Sequence, residues 1–230
     1  MNAAVEPAPV RIPLKGLRGS IARNMSAGWQ APRVAMAIDI DMTRCQALRK
    51  TLQAEAGAEK ITATPILLRA LALNLTAHPR LNALMRDDGI EPMANINLGV
   101  AVSLDEGLAV PVIRDADKKS VIELAAETRE LATAARAGTL APKAYQGGTF
   151  TVSNLGMTGI DWFTPILNPP QVGIVGISSV ADRAVVRAGT LAIAPMTTLT
   201  LVFDHRAVDG YPGARFLADL KRLLESGDGL

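Results

Sequence analysis

Cysteine is almost absent from this sequence, since Cys45 is the only one among 230 residues. No disulfide can therefore form within the chain, which is typical of proteins in a reducing compartment. Cys45 lies in a stretch with helical spacing, and its neighbours give no sign of the setting that activates a thiol. We interpret Cys45 as a packing residue and not as a nucleophile.

Long apolar runs and blocks of like charge are also missing. Gly, Pro or charged residues interrupt each apolar run well before the ~20 residues that a membrane-spanning helix needs, and no signal peptide is recognisable. We therefore expect a soluble, cytoplasmic protein without a membrane partner. Lysine plus arginine number 24 against 22 acidic residues, a net charge of +2 without a basic block, which argues against nucleic acid as a partner. Neither a GxGxxG nor a GxxxxGK(S/T) loop occurs, so the common nucleotide-binding fingerprints are absent.

The composition that remains is typical of a globular core. Hydrophobic residues make up 49% and charged residues 20%, which is enough to bury a sizeable interior. Residues 1–10 are rich in Ala and Pro and lack periodicity, so we interpret them as a flexible linker end. We interpret residues 11–230 as one folded domain.

Helical and strand-like patterns follow one another along this domain. Thr64 is predicted to cap the third helix, with Pro65 at its first position, where a missing N–H costs nothing. Periodicity predicts helices over 18–27, 43–56, 61–76, 120–137 and 211–224, strands over 33–41, 96–103, 108–113, 149–153, 172–178 and 196–204, and a hairpin around Gly189. Several strands are consecutive, which favours a two-layer α+β sandwich over a doubly wound sheet.

Only two histidines are present, so any imidazole chemistry must come from His78 or His205. His78 follows an apolar helix, where a histidine commonly interacts with the last free carbonyls, and we interpret it as structural. His205 follows a predicted strand in the string DHRAVDG, and a side chain at a strand end on a rigid sheet is well placed for a site. The string alone is equally consistent with a charged surface turn in which Asp209 and Gly210 supply turn chemistry.

The string DHRAVDG, residues 204–210, matches the DHRxxDG signature of dihydrolipoamide acyltransferases, the second component of 2-oxoacid dehydrogenase complexes. Other stretches resemble the same family: IPL (12–14), GLRGSIA (16–22), HP with LNA (78–83), GLAVPVIRDAD (107–117), GGTFTVSNLG (147–156) and FTPILNPPQ (163–171). The resemblance covers about residues 11–230. Several ordered motifs together are far more specific than the DHRxxDG string alone.

The resemblance implies a chloramphenicol acetyltransferase-like fold, a mixed sheet with helices packed on it, whose active sites lie in channels between subunits of a trimer. It implies that residues 11–230 are an acyltransferase catalytic domain, with His205 as general base and Ser153 as the hydroxyl that stabilises the oxyanion. Asp209 would pair with Arg18 to hold the histidine loop, with Arg23 one turn further along as the alternative. Without the resemblance, Ser153 would be interpreted as a strand-end serine bonded to its own backbone.

The resemblance also implies the substrates and partners. Coenzyme A is a substrate, the lipoyl group is carried on a domain outside this chain, and no metal is needed because one thioester replaces another. The expected partners are two further copies in a homotrimer, extended to a cubic or icosahedral cage, with the lipoyl domain and the dehydrogenase and dihydrolipoamide dehydrogenase components. The loop 153–171 is closer to acetyltransferases of pyruvate or acetoin systems than to succinyl or branched-chain members, so we expect an acetyl group.

Two other functions are weighed against this one. A small-molecule acetyltransferase of the chloramphenicol type would use the same histidine with a drug hydroxyl as acceptor. A catalytically silent scaffold subunit would only build the cage, and the presence of both His205 and Ser153 argues against it. The acyltransferase-like motifs outside the active site favour dihydrolipoamide acyl transfer over the drug-modifying alternative.

Overall fold

Five α-helices, two short 3-10 helices (Ala116–Lys118 and Pro142–Tyr145) and eleven strands occupy the part of the chain that the computed structural model describes, residues 11, 13–57, 59–104 and 107–230. The helices are α1 (Gly16–Gln30), α2 (Thr43–Glu55), α3 (Ala63–Thr76), α4 (Val121–Arg136) and α5 (Gly210–Ser226). The strands are β1 (Arg33–Asp41), β2 (Ala83–Arg86), β3 (Gly89–Pro92), β4 (Leu98–Val100), β5 (Val102–Leu104), β6 (Gly107–Ala109), β7 (Val112–Ile113), β8 (Phe150–Asn154), β9 (Gly173–Ile177), β10 (Ala181–Arg187) and β11 (Thr190–Asp204). The predicted linker end, residues 1–10, lies outside the described residues.

Seven strands form one mixed sheet in the order β1-β11-β9-β8-β4-β7, with β10 paired to the first half of β11. β8 runs parallel to both β4 and β9, and the other pairs are antiparallel. Side chains of α2, α3, α4 and α5 share one core with the central strands. The predicted two-layer α+β sandwich with a mixed sheet is therefore confirmed. In the described residues no helix is both long and apolar enough to cross a bilayer.

Different elements pack on the two faces of the sheet, and successive side chains of each strand point to opposite faces. On β8, Phe150 and Val152 are fully buried in the core beneath the helices, whereas Thr151 and Ser153 point to the opposite face. That second face carries a smaller cluster of Leu167, Ile174 and Val202, against which Ala31 packs. α1 covers this second face, beside the strand that carries Ser153.

Glycine allows α1 to approach this face closely. A Cβ atom at Gly28 would lie 2.2 Å from the carbonyl oxygen of Leu167 and 3.1 Å from Cγ2 of Ile166. Neither neighbour is the free end of a long side chain, so a larger residue would push α1 away from the loop before β9. The contact at Gly28 therefore sets the distance between α1 and the sheet.

The start of α3 differs from its sequence prediction. The helix begins at Ala63 with Thr62 at the cap position, so the prediction of Thr64 as the cap was wrong. The Thr64 hydroxyl instead accepts a hydrogen bond from the side-chain amide of Asn154, at 2.9 Å. Since Asn154 follows Ser153 directly, the first turn of α3 helps to fix the end of β8.

Candidate active site

Ser153 opens onto a pocket of about 210 Å³ between α1 and the second face of the sheet. The pocket has mostly apolar walls, formed by Ile21, Met25, Ala101, Leu108, Val110, Pro165, Ile166 and Ile174, and its polar residues are Asn24, Thr151, Ser153 and Asn168. Within the described residues the Ser153 hydroxyl has no hydrogen-bond partner, so it is not bonded to its own backbone. An apolar pocket with one free hydroxyl suits an aliphatic chain that ends in a reactive carbonyl.

A row of side-chain hydrogen bonds ties α1 to the strand that carries Ser153. The Asn24 amide donates to the side-chain oxygen of Asn168 at 2.8 Å, and the Asn168 amide donates to the Thr151 hydroxyl at 3.3 Å. Thr151 in turn donates to the side-chain oxygen of Gln171. Thr151 and Gln171 are buried, and a connected polar row of this kind holds its members in one arrangement. The row therefore fixes the width of the pocket beside Ser153.

His205 lies at the carboxyl end of β11, directly after the last strand residue, Asp204. Its backbone N–H donates to the carbonyl oxygen of Pro32 at 2.8 Å, which joins the loop to the linker between α1 and β1. The imidazole is exposed, with its centroid 6.1 Å from the ring of Phe203. No hydrogen bond to the imidazole occurs among the described residues. The ring is therefore free to bind a proton donor that comes from outside the chain.

Arg206 forms a two-pronged ion pair with the residue on the other side of His205. Its Nε donates to Oδ1 of Asp204 at 3.0 Å and its Nη2 donates to Oδ2 at 2.6 Å. The Asp204 carboxylate is only 3% exposed, whereas the Arg206 side chain is 56% exposed. The hydrogen bonds that Arg206 donates to Asp204, followed by the charge of Asp204, raise the pKa of the Arg206 guanidinium. The Arg206 guanidinium thus remains charged on both sides of neutral pH.

Ser153 and His205 are far apart within one chain. Ser153 pairs with Gly176 on β9, and Gly176 pairs with Thr200 on β11, so Ser153 lies level with Thr200. The five residue-to-residue steps from Thr200 to His205 span roughly 17 Å at ~3.3 Å per step, and two strand spacings of ~4.8 Å add to the separation. A base and an oxyanion donor must each lie within ~3 Å of their target atoms, so these two residues of one chain cannot serve the same reacting group.

The structure does not bring Arg18 and Asp209 together in one chain. Asp209 is exposed at the start of α5, and its carboxylate makes no cap hydrogen bond. Arg18 is also exposed, and it lies twelve residues before the end of α1 at Gln30, about 18 Å along the helix axis at 1.5 Å per residue. No ion pair joins the two in the described ranges. Arg23, the alternative match, donates to the hydroxyl of Ser20 at 3.1 Å.

The second histidine has a structural partner. Nε2 of His78 lies 3.1 Å from Oδ2 of Asp219 on α5, and the imidazole contacts Phe216 edge-on with ring centroids 5.3 Å apart. The side chain is 15% exposed. His78 therefore joins the end of α3 to α5 through a side-chain contact, and not through the helix carbonyls that the sequence predicts.

The single cysteine is sealed in the core. Cys45 is 2% exposed, and its thiol donates to the carbonyl oxygen of Leu224 at 3.2 Å. Burial, followed by the charges of Asp41 and Glu225, raises the pKa of the thiol to about 11. A protonated, buried thiol is a poor nucleophile, which supports its interpretation as a packing residue.

We call the pocket at Ser153 and the loop that carries His205 the two half-sites of the chain. Sequence reasoning missed several residues that shape them. Asn24, Asn168 and the Asp204–Arg206 pair were not singled out. Asn24 and Asn168 are 144 positions apart, so no local pattern indicates their contact. Asn168 lies in the FTPILNPPQ string and Arg206 in DHRAVDG, so membership in these strings was the available signal.

Comparisons with known proteins identify related sequences. The sequence pattern of the family of 2-oxoacid dehydrogenases acyltransferase (catalytic domain) matches residues 6–230. The acetyltransferase component of the pyruvate dehydrogenase complex of Bacillus subtilis is 38% identical over 96% of this chain and 52% of its own length. The acetyltransferase component of the acetoin cleaving system of the same bacterium is 40% identical over 93% of this chain and 55% of its own length. The chain thus spans about half the length of these curated relatives.

Solved structures support the same family. The cubic core of a pyruvate dehydrogenase multienzyme complex has a TM-score of 0.91 at 34% identity and covers 97% of each chain. A dihydrolipoamide acetyltransferase of Azotobacter vinelandii, solved to investigate the catalytic roles of one serine, one histidine and one asparagine, has the same score, identity and coverage. Chloramphenicol acetyltransferase, at 12% identity and a TM-score of 0.57 over 93% of this chain and 98% of its own, shares the fold alone. The chain therefore belongs to the family of 2-oxoacid dehydrogenase acyltransferase catalytic domains.

Proposed function

We propose that this chain is the catalytic core of a dihydrolipoamide acetyltransferase, which transfers an acetyl group between the dihydrolipoyl arm of a lipoyl domain and coenzyme A. Two sequence spacings support the assignment of its catalytic residues. In the Azotobacter vinelandii enzyme the serine precedes the histidine by 52 residues and the asparagine follows the histidine by four. Ser153, His205 and Asp209 have the same two spacings in this chain.

His205 acts as the general base. A thiol of pKa about 8.5 is mostly protonated at neutral pH, and a neutral imidazole is suited to take that proton. The resulting thiolate of coenzyme A forms a bond to the carbonyl carbon of the acetyl-dihydrolipoyl thioester, and the carbonyl electron pair moves to oxygen. When this oxyanion collapses, the bond to the dihydrolipoyl sulfur breaks, and the imidazolium returns its proton to that sulfur.

Ser153 stabilises the oxyanion. Its hydroxyl is free of partners within the described chain and faces the apolar pocket, where a hydrogen bond to a developing charge is worth more than in water. Removal of a single oxyanion donor typically costs ~3 kcal/mol of transition-state stabilisation. The hydroxyl needs no reorganisation because the hydrogen-bond row of Asn24, Asn168 and Thr151 supports the strand beneath it.

Two subunits share each active site. His205 and Ser153 of one chain are too far apart to act together, so we propose that Ser153 works with His205 of the partner subunit in a trimer. The exposure of His205 and the lack of a hydrogen-bond partner for its imidazole among the described residues support this arrangement. Substrates then meet between subunits, where the apolar pocket beside Ser153 forms one wall.

The same interface provides a partner for Asp209. Arg18 lies one turn before Ile21, a residue of the pocket at Ser153, so it accompanies Ser153 and not the His205 of its own chain. We propose that Arg18 pairs with Asp209 of the partner subunit and thereby holds the histidine loop across the interface. The Azotobacter vinelandii enzyme has an asparagine at the position four after its histidine. A carboxylate here gains an ionic contact with arginine that an amide lacks.

Coenzyme A is then a substrate, and the lipoyl group arrives on a separate domain. The similarity to the cubic core supports assembly of trimers into a cage that binds the dehydrogenase and dihydrolipoamide dehydrogenase components. The acetyl group is supported by the names of the two Bacillus subtilis relatives, which both act as acetyltransferase components. A cytoplasmic location fits the single reduced cysteine.

A substrate panel tests this function. Turnover is measured with acetyl-, succinyl- and isobutyryl-coenzyme A as donors and free dihydrolipoamide as acceptor, and again with chloramphenicol as acceptor. We expect acetyl transfer to dihydrolipoamide to have the highest kcat/KM. Transfer to chloramphenicol alone would support the drug-modifying alternative, and no transfer by an assembled protein would support the silent scaffold.

A further inference from the structure

We infer that Arg206 is a positioning residue for His205: it locks Asp204 and thereby fixes the direction in which the imidazole leaves the sheet. The inference rests on the proposed role of His205 as general base. It concerns a residue whose side-chain hydrogen bonds, among the described residues, go to Asp204 of its own loop.

The ion pair joins the two residues on either side of His205. Arg206 binds Asp204 through Nε and Nη2, and its backbone N–H also donates to Oδ1 of Asp204 at 3.0 Å. With a further bond from Nε to Oδ2 at 3.2 Å, four hydrogen bonds therefore join Asp204 to Arg206 across a single residue, His205. The backbone of a residue enclosed in this way has little freedom to turn its side chain in another direction.

Further backbone hydrogen bonds hold Asp204 in place on both sides of the loop. The carbonyl oxygen of Asp204 accepts hydrogen bonds from the N–H groups of Ala207 at 3.0 Å and Val208 at 3.1 Å. Its own N–H donates to the carbonyl of Val172 at 2.9 Å. Because the imidazole itself has no hydrogen-bond partner in the described chain, the backbone is the means by which one subunit aims it.

No other cation in the described ranges replaces Arg206 at Asp204. Arg33 pairs with Asp204 in the register of β1 and β11, but its guanidinium stacks on Trp29 at 3.2 Å and donates to the Trp29 carbonyl at 2.8 Å. Loss of Arg206 would leave the buried carboxylate of Asp204 unpaired, which strongly favours rearrangement of the loop. The loop would then present His205 in several directions.

A misaimed base lowers the rate of the chemical step more than it lowers substrate binding. A displacement of about 1 Å of a catalytic group costs on the order of 10²-fold in rate. We therefore expect Arg206→Ala to reduce kcat by about 10²-fold with KM for acetyl-coenzyme A and dihydrolipoamide nearly unchanged. Arg206→Lys keeps the charge but not the two-pronged geometry, so it should recover only part of the loss.

Chemical rescue distinguishes a positioning role of Arg206 from general damage to the structure. The exposed position of the Arg206 side chain allows free guanidinium, at millimolar and non-denaturing concentration, to occupy the vacated place in Arg206→Ala. We expect guanidinium to restore kcat at least 5-fold, whereas urea, which has a similar shape without the charge, restores nothing. Arg222→Ala is the matched control, because it removes a surface arginine that pairs with Asp219 on α5 and does not touch the loop.

The outcomes are distinct. An inactive wild-type protein would refute the proposed function itself. An active wild type with a fully active Arg206→Ala variant would overturn the inference, as would a loss of kcat that neither guanidinium nor lysine reverses. If Arg206→Ala fails to assemble, Arg206→Lys and Arg206→Gln are compared: equal kcat in these two assembled variants would also overturn it.

Discussion

The backbone N–H of His205 donates to the carbonyl oxygen of Pro32 at 2.8 Å, so the loop of the proposed base is bound to the linker that follows α1. The same helix lines the pocket at Ser153 through Asn24 and Met25. α1 and the linker that follows it therefore contact both half-sites of one chain, which face different neighbours in the proposed trimer. A displacement of α1 should affect the base of one active site and the oxyanion donor of another.

Replacement of the base is the most direct test of the chemistry. His205→Ala should lower kcat by about 10² to 10⁴ with assembly intact, because no second imidazole lies in the loop. The control is His78→Ala, which removes the only other histidine. It should lower the free energy of unfolding by about 1–2 kcal/mol through loss of the Asp219 contact, with near-normal turnover of the folded protein. A fully active, assembled His205→Ala protein would refute the assignment.

Ser153 should matter for the transition state and not for binding. We expect Ser153→Ala to reduce kcat by about 10² to 10³ with little change in KM, as for the loss of a single oxyanion donor. Ser153→Thr retains the hydroxyl on the same strand and should keep most of the activity. Steady-state kinetics for both substrates check this. A rise in KM alone would make Ser153 a binding contact.

The fold was predictable wherever a segment has one clear periodicity. β1 was predicted as 33–41 and is observed as Arg33–Asp41, because its apolar and polar residues alternate. The hairpin Ala83–Pro92 was missed because its strands have four residues each and one of them is wholly exposed. The predicted strand 96–103 is broken at Ala101, whose N–H donates to Val152. Beyond that point the chain leaves the main sheet to form the separate pair β5 and β6, a turn that side-chain pattern does not encode.

The site was predictable to the extent that it lies in short motifs. Ser153 and His205 were identified from strings of the sequence, and the structure gives both an accessible position. Their separation follows from strand register across β8, β9 and β11, which no local pattern specifies. The sequence predicts that Arg18 pairs with Asp209, and the described residues contain no such pair within one chain. Its occurrence across the interface stays a prediction.

The close approach of α1 provides a test of the pocket. Gly28→Ala should lower the free energy of unfolding by about 1–3 kcal/mol, because the new methyl group overlaps the Leu167 carbonyl. It should also raise KM, since α1 and Ile166 are walls of the pocket at Ser153. Gly89→Ala is the matched control: no atom lies within 4 Å of its added Cβ, and we expect a change within about 0.5 kcal/mol. Equal effects in denaturant titrations of the two variants would contradict the role of Gly28.

The buried thiol should make stability fall at alkaline pH. The pKa of Cys45 is raised from 9.0 to about 11 in the folded chain, so between these values the unfolded chain loses a proton that the folded chain retains. Stability therefore decreases as pH rises, by about 1 kcal/mol between pH 8 and pH 10. Urea titrations of wild type and Cys45→Ala at both pH values isolate this effect, because alanine does not titrate. A difference between the two proteins that is independent of pH would contradict it.

Activity should require sites that are completed between subunits, and mixed assemblies test this. A His205→Ala chain and a Ser153→Ala chain are each nearly inactive, since every site in either trimer has one lesion. In a mixed trimer, an interface that joins the His205 of one variant to the Ser153 of the other contains both intact residues. Random assortment in a three-membered ring gives about a quarter of such interfaces. Turnover should therefore reappear on mixing.

Mixing restores activity only if subunits exchange, so exchange must be demonstrated first by mass spectrometry of differently tagged chains. The matched control replaces the Ser153→Ala chain by a chain with both Ser153→Ala and His205→Ala, which exchanges equally but supplies no intact histidine. That mixture should remain inactive, because recovery requires one intact residue from each variant. If the two residues worked within one subunit, each site in the first mixture would retain a lesion. Demonstrated exchange without recovered turnover would therefore refute the shared site and leave the base chemistry of His205 as a separate question, decided by the His205→Ala variant alone.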